Sequence, residues 1–270
     1  MSLMGRVMRA LVPRWEGGKL AAPSGRQVSV GDDLVHRAVD WWKDDAYTQL
    51  ERQRHWRWLG RNWFTTTYKR TIRSDYWGAA DDTVSLIRAM QTAGLVGTLD
   101  ATSTIFEGGC NLGRNLFYLQ NAFGSSVVGL DISEGAERER ESIWRDRHQH
   151  RFVLDNALTT KFFDGCPDQC FDLVLTRWHL IHIPRSPEKQ RYVEHLKRIA
   201  KTLVVIEPAR DGRDDVQLFQ GGTYTLSYDN WKTQYGLQEY VLPAGLNMGA
   251  DTHVYYSRHA GAASPNTVIA

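Results

Sequence analysis

Residues 104–119, TIFEGGCNLGRNLFYL, place three glycines and an asparagine between two apolar stretches. Glu107 ends the first stretch, while Gly109 and Gly113 permit close backbone approach and unusual torsions. Backbone amides at the start of a following helix favour negative charge. The pattern predicts a strand, a ligand-binding turn and a helix start, with a tight connection that binds nothing as the alternative.

The next apolar run, SVVGLD, ends in Asp131, where a carboxylate can accept both hydroxyls of a ribose. The dinucleotide fingerprint Gly-x-Gly-x-x-Gly is not matched, because Asn111 and Arg114 stand at its second and third glycine positions. Glu107 would repel a pyrophosphate, whereas it would attract a sulfonium cation. The residues therefore favour S-adenosylmethionine over a dinucleotide as the nucleoside-containing ligand.

These residues need a sheet to position them. After about residue 102, five apolar runs of strand length alternate with helical segments, which predicts an α/β fold with a doubly wound, mostly parallel sheet. Ser186 followed by Pro187 marks the start of one of the helices. Residues 237–259 read as two strands joined by a Gly/Asn turn, so we expect an antiparallel hairpin to close one edge of the sheet.

The composition and the hydrophobic pattern of the chain change along its length. We predict a loose arm over 1–30, a helical lid or substrate region over 31–98, the ligand-binding domain over 99–259 and a flexible tail over 260–270. With 42% hydrophobic and 24% charged residues, the composition is that of a globular protein. No run approaches the roughly 18 apolar residues of a membrane span, and no secretory signal is recognisable, so we predict a cytoplasmic protein.

Five segments in order resemble the motifs of the class I S-adenosylmethionine-dependent methyltransferases: FEGGCNLGRNL, VVGLDIS, FVLDNAL, FDLVLTRWHLIHIP and LVVIEP. The Gly-Cys-Asn-x-Gly variant is similar to bacterial methyltransferases of surface-sugar pathways. The resemblance covers about residues 100–210 and implies S-adenosyl-L-methionine as cofactor and S-adenosyl-L-homocysteine as product. It implies a cofactor site made of Glu107, Gly108, Gly109, Cys110, Asn111, Gly113, Asp131, Ile132, Asp155, Asn156, Ala157, Thr176 and Arg177.

Within that set the resemblance implies separate roles. The glycine-rich residues from Glu107 to Gly113 would surround the methionine part, Asp131 the ribose, and Ile132 the adenine. Asp155 or Asn156, beside Ala157, would meet the adenine amine. Thr176 and Arg177 would pass beneath the methyl-bearing sulfur.

Two histidines follow the fourth predicted parallel strand, in TRWHLIHIP. The unperturbed pKa of an imidazole lies near 6.5, so His179 or His182 is suited to take a proton from a methyl acceptor. Glu207, at the end of the fifth strand, is a third candidate base. We predict no metal site: Cys166 and Cys170 have neither the spacing nor the partners that zinc requires.

The net charge is only +2, but residues 1–75 hold 14 Lys and Arg against 8 Asp and Glu. Arg57 and Arg61 lie on one face of a basic, tryptophan-rich helical pattern and suit contacts to a phosphate or carboxylate. With Tyr224 and Tyr228, and with Trp231 at the same spacing, they are our candidates for the substrate site. A solvated basic face over a tryptophan core is the alternative.

The prediction is a methyltransferase acting on oxygen or nitrogen of a small, anionic or sugar-like acceptor, with no membrane partner. Three alternatives stay open. The basic, aromatic stretch is compatible with an RNA methyltransferase, although no DNA-methyltransferase signature such as Asp/Asn-Pro-Pro-Tyr is present. A non-catalytic module that binds the cofactor and a dinucleotide-dependent oxidoreductase are the other two. The oligomeric state is not predicted.

Overall fold

The computed structural model describes residues 15–16, 19–20, 78–134, 136–137, 140, 144–145, 147–183, 185–208, 216–218, 225–227, 229–246, 248 and 252–259. The α-helices within these ranges are α1 (Gly78–Thr92), α2 (Arg114–Phe123) and α3 (Pro187–Ile199). The strands are β1 (Trp15–Glu16), β2 (Lys19–Leu20), β3 (Thr104–Gly108), β4 (Ser126–Asp131), β5 (His150–Leu154), β6 (Phe171–Arg177), β7 (Ala200–Pro208), β8 (Val216–Leu218), β9 (Thr225–Ser227), β10 (Gln238–Tyr240) and β11 (Thr252–Arg258).

Seven strands form one sheet in the order β10-β11-β7-β6-β3-β4-β5. The five central and edge strands β3 to β7 run parallel, whereas β11 and β10 are antiparallel to their neighbours. This confirms the predicted doubly wound sheet and its closing hairpin. The strand order reverses between β3 and β6, and in such sheets ligands bind beyond the carboxyl ends of the strands at that point.

Each central strand buries alternate side chains on opposite faces of the sheet. Ile105 and Leu173 belong to one hydrophobic core, and Phe106 and Val174 belong to another. Helices α1 and α2 supply residues to the first core, and α3 supplies residues to the second. Strands covered on both faces must be apolar throughout, which explains why the sequence shows continuous runs instead of alternation.

The helix boundaries follow from local signals. Ser186 caps α3 by accepting a hydrogen bond from the backbone of Lys189, and Pro187 occupies the first turn. Gly113 precedes α2 with a φ of 74°. Gly94, just beyond α1, has a φ of 70°. These positions agree with the helix limits expected from the sequence.

Much of the predicted amino-terminal organisation lies outside the described residues. Of the expected helical region over 31–98, the described part contains α1; the arm over 1–30 is described only at β1 and β2, and the tail over 260–270 is not described. The antiparallel pair of β8 and β9 was not predicted. No helix in the described part of the chain is both long and apolar enough to cross a lipid bilayer.

Candidate functional site

The glycine-rich turn connects β3 to α2 at the point where the strand order reverses. The backbone N–H groups of Gly109 and Cys110 both donate to the carbonyl of Leu130, at 2.8 and 3.2 Å. Gly109, Asn111 and Gly113 all have positive φ values, of 68°, 50° and 74°. The turn is therefore a left-handed backbone path tied to the end of β4.

The protein's own side chains occupy the space that a Cβ at these glycines would need. An ideal Cβ at Gly109 would lie 2.1 Å from the ring of His179, and one at Gly108 would lie 2.0 Å from the hydroxyl of Tyr192. At Gly113 a Cβ would approach the ring of Phe152 to 2.8 Å. Glycine is thus required here by internal packing as well as by backbone torsion. Packing was the alternative to a purely ligand-binding role for these glycines.

Asp131 ends β4 beside the turn. Its Oδ2 accepts the backbone N–H of Asn111 at 2.7 Å, and its Oδ1 accepts that of Ser133 at 2.9 Å. Burial raises the pKa of this carboxyl, and the two backbone hydrogen bonds oppose that rise. A carboxylate has about four acceptor positions, so Asp131 can brace the turn and still accept hydroxyl groups from a ligand.

Glu107 is a buried carboxyl, 1% exposed, held by a chain of hydrogen bonds. Asn115 Nδ2 donates to Glu107 Oε1 at 2.6 Å, and Thr83 Oγ1 donates to Asn115 Oδ1 at 3.1 Å. Arg177 Nη1 in turn donates to Thr83 Oγ1 at 2.6 Å. Burial raises the pKa of Glu107 to about 8, and the hydrogen bond from Asn115 opposes the rise. Oε2 has no hydrogen-bond partner among the described residues.

The residues expected near an adenine amine make local hydrogen bonds. Asp155 accepts from the backbone of Asn156 at 2.7 Å and from Thr160 Oγ1 at 2.5 Å. The side chain of Asn156 accepts from the backbone of Leu158 at 3.0 Å. Ala157 packs against the second core, and Ile132 is half-buried next to Asp131. The structure therefore brings these positions to the same sheet edge as Asp131.

Both candidate histidines follow β6 and are half-buried. Burial lowers the pKa of His179 to about 4 and that of His182 to about 3, so both rings are neutral at pH 7. His179 Nε2 is buried without a partner among the described residues. The ring of His182 hydrogen-bonds the backbone of Trp178 instead. The ring of His179 also packs on Gly109, which places it against the glycine turn.

Glu207 holds the segment that carries the histidines. Its Oε1 accepts the backbone N–H groups of His179 and Leu180, at 2.9 and 2.8 Å. Burial raises the pKa of this carboxyl to about 7. Glu207 thus caps the short 3-10 helix Leu180–His182, a structural role that the sequence analysis, which gave it as a candidate base, did not predict.

A family model described as a methyltransferase domain matches residues 105–202, which run from β3 into β7 and include the glycine turn, Asp131 and both histidines. Residues 105–202 thus match a methyltransferase domain, and this match supports the class I S-adenosylmethionine-dependent methyltransferase family. The methyltransferase domain accounts for the glycine turn and the strand order together, as the resemblance of the five motifs implied.

Individual relatives agree with this assignment. The chain is 26% identical over 187 residues to 2-methyl-6-phytyl-1,4-hydroquinone methyltransferase from Synechocystis sp., a match that covers 69% of this chain and 54% of the relative. The chain thus spans about half the length of that curated relative. The solved structure of magnesium protoporphyrin IX methyltransferase from Synechocystis PCC 6803 with bound SAM has a TM-score of 0.50 and 18% identity, covering 85% of this chain and 98% of that one. That likeness shows the fold.

Two residues of the methyltransferase domain were missed by the sequence analysis. Arg140, 2% exposed, donates from Nη1 to the carbonyl of Asn111 at 2.6 Å and lies over the ring of Phe152 at 4.7 Å. Trp178 has a φ of 51° and an indole that is 47% exposed. Arg140 lies in a segment that reads as a charged solvent-facing helix, and no local signal marks a positive φ at a tryptophan.

Several predicted site residues remain untested. Arg57, Arg61, Tyr224 and Tyr228 lie outside the described residues. Trp231, suggested as a pocket residue, is 2% exposed and packs in the second core. Thr176 is fully buried at the end of β6, and its hydroxyl has no partner among the described residues of the methyltransferase domain.

Proposed function

We propose that this chain transfers the methyl group of S-adenosylmethionine to an oxygen or nitrogen atom of a small acceptor molecule. The observation that carries the proposal is Glu107, a buried carboxyl with one unpartnered oxygen beside a glycine turn at the switch point of the sheet. A buried carboxyl oxygen without a partner is costly unless a ligand completes it. A cationic ligand group suits that position.

The described residues fit this cofactor. Glu107 Oε2 would face the positively charged methionine part, and the remaining acceptor positions of Asp131 would receive the ribose hydroxyls. Leu154, 37% exposed, pairs with Asp131 across β4 and β5 and offers an apolar surface for a base. When bound, the sulfonium supplies an electrophilic methyl carbon, and the protein's contribution is to hold the acceptor in line with it.

His179 is our candidate for the proton acceptor. Its neutral ring packs directly on Gly109, so its free Nε2 lies near the glycine turn. An acceptor hydroxyl or amine that loses its proton during methylation would pass it to this nitrogen. His182 is a positioning residue in this proposal, because its ring hydrogen-bonds the backbone of Trp178.

The class of acceptor has two candidates. The sequence favours an anionic or sugar-like acceptor through Arg57 and Arg61, which remain a prediction. The second candidate is an aromatic ring, because one relative is by name a hydroquinone methyltransferase. Both candidates are small molecules, and this is the acceptor class that we propose.

The test is a calorimetric titration with S-adenosylmethionine, S-adenosylhomocysteine and NAD. We expect the first two to bind and NAD not to bind. Asp131→Asn retains one acceptor oxygen for the turn but loses the charge, so affinity should fall about tenfold or more. The matched control is Asp164→Asn, because Asp164 is exposed on the surface. Failure of both cofactor forms to bind to a folded protein would refute the proposal.

A further inference from the structure

Trp178 has two unusual properties at the ligand edge of the sheet. Its φ of 51° lies in the left-handed region, which is strained for a bulky side chain. Its indole is 47% exposed, and of the three large apolar side chains exposed among the described residues, Trp178 and Leu154 both lie at carboxyl ends of parallel strands. An exposed ring in a strained backbone needs a reason other than packing.

The surrounding contacts hold this strained conformation in place. The N–H of Trp178 donates to the carbonyl of Ile206 at 2.9 Å. The next two N–H groups, of His179 and Leu180, donate to the buried carboxyl of Glu207. The ring of His182 also hydrogen-bonds the backbone of Trp178. A strained residue persists only when its surroundings over-determine it, and strained residues cluster at functional sites.

The polar groups around Trp178 are largely engaged within the protein. Arg177 donates to Thr83, and Glu207 accepts three backbone N–H groups of the following turn. His179 Nε2 is one buried nitrogen of this segment that has no hydrogen-bond partner among the described residues. The segment therefore presents one exposed aromatic face, next to the residue that carries the buried His179 Nε2.

We propose that Trp178 binds the aromatic ring of a phenolic methyl acceptor by stacking, with the acceptor hydroxyl directed to His179 Nε2. This inference rests on the proposed function and names the substrate class of the same site. In the reaction the phenolic O–H proton goes to His179 Nε2, the oxygen forms a bond to the methyl carbon, and the electrons of the broken C–S bond remain on sulfur. The sulfonium thereby becomes a neutral thioether.

A phenol matches this segment better than a sugar does. A sugar carries several hydroxyls, each needing a partner, whereas the exposed group at this position is the apolar indole of Trp178. Burial holds the pKa of His179 at about 4, so the ring is a weak base. A weak base can accept the proton of a phenol, whose pKa is near 10, far more readily than that of an aliphatic alcohol. Indole faces also stack on planar aromatic rings.

The probes for the test are 4-methylphenol, its saturated analogue 4-methylcyclohexanol, and glucose 6-phosphate. Binding of each to the full chain is measured by saturation-transfer NMR, with and without saturating S-adenosylhomocysteine. Methyl transfer from S-adenosylmethionine is measured in parallel. The variants are Trp178→Ala and the conservative Trp178→Phe, with Val241→Ala as a control because Val241 is another exposed apolar residue, 84% exposed.

We expect 4-methylphenol to bind and 4-methylcyclohexanol to bind at least about fivefold more weakly. Trp178→Ala should raise the KM for 4-methylphenol about tenfold or more while the cofactor Kd stays unchanged, and Trp178→Phe should retain most of the affinity. Equal binding of the two ring probes, or preferential methylation of glucose 6-phosphate, would overturn the inference. Trp178-dependent binding of 4-methylphenol in a protein that binds no cofactor would uphold the stacking role of Trp178 and refute the proposed function instead.

Discussion

Glu107 has two carboxyl oxygens in different surroundings. Oε1 receives a hydrogen bond from Asn115, and Oε2 has no partner among the described residues. Burial raises its pKa to about 8, so at pH 6 the group is mostly protonated and neutral. A cationic cofactor binds the ionised form, and binding at pH 6 to 7 must therefore release a proton.

We predict that affinity for S-adenosylmethionine rises about tenfold per pH unit from pH 6 until it levels off near pH 8. Calorimetry in buffers of different ionisation enthalpy measures both the affinity and the proton release. Glu107→Gln removes the protein's contribution and leaves only the titration of the ligand's own amino group. Glu188→Gln, at a partly exposed residue that pairs with Arg191, should behave as the wild type. An affinity that is level over this range in the wild type would contradict the assignment of Glu107.

For His179 we predict a loss of turnover without a loss of cofactor binding. His179→Asn keeps a polar side chain of similar size but cannot take a proton, so kcat should fall by roughly 10²–10⁴. The pKa of about 4 also predicts that this residue adds no inflection to the rate profile between pH 5 and 8. Rate measurements with the exposed His148→Asn as control would test both points, and an unchanged kcat in His179→Asn would exclude the base role.

At the scale of elements, a buried ion pair joins α3 to the segment before β10. Lys189 Nζ contacts a carboxylate oxygen of Asp229, with both side chains fully buried, and the ammonium lies over the ring of Trp231 at 5.2 Å. Burial lowers the pKa of Lys189, and Asp229 opposes that shift. The pair fixes α3 against the chain that leads to the closing hairpin.

We predict that Lys189→Met lowers the free energy of unfolding by about 3–5 kcal/mol, because it leaves the carboxylate of Asp229 buried without its partner. The double variant Lys189→Met and Asp229→Leu should recover most of that loss, since two apolar groups fill the same space without a charge. Urea unfolding of the three proteins measures the effect. A double variant less stable than the single one would mean that the pair stabilises by more than its desolvation costs.

The elements themselves were largely predictable from sequence. Continuous apolar runs identified β3 to β7, because strands covered on both faces leave little room for polar residues. Ser186 and Pro187 marked the start of α3 through backbone chemistry that acts locally. The pair β8 and β9 was not predicted, since three-residue strands such as VQL and TLS are too short to show a hydrophobic period.

The hydrogen bonds that hold the site residues in place could not be predicted, because they join segments that are distant in the sequence. The chain from Arg177 through Thr83 and Asn115 to Glu107 joins four elements. Arg140 donates a hydrogen bond to the glycine turn, but its sequence context is that of an ordinary charged helix residue. Motif spacing locates the groups that face a ligand, but the partners that hold those groups appear only when the sheet is assembled.

For the whole molecule, four buried groups couple stability to pH in opposite senses. Burial raises the pKa of Glu107 to about 8 and of Glu207 to about 7, from 4.5, so the folded chain keeps protons that the unfolded chain has released. Stability from these two falls as pH rises between 4.5 and 8. Burial lowers the pKa of His179 to about 4 and of His182 to about 3, from 6.5, so their contribution is lost as pH falls below 6.5.

Between pH 4.5 and 6.5 the two effects oppose each other, and above 6.5 only the two carboxyl groups of these four still titrate. We therefore predict a nearly level free energy of unfolding from pH 4.5 to 6.5 and a fall of ~2–3 kcal/mol from 6.5 to 8, at ~1.4 kcal/mol per group and pH unit. Urea unfolding at pH 5.5, 6.5, 7 and 8 measures the curve. Glu107→Gln should abolish the fall between 7 and 8 while keeping that between 6.5 and 7, because Glu207 still titrates there. Stability that increases from pH 6.5 to 8 would show that neither carboxyl is protonated in the folded chain.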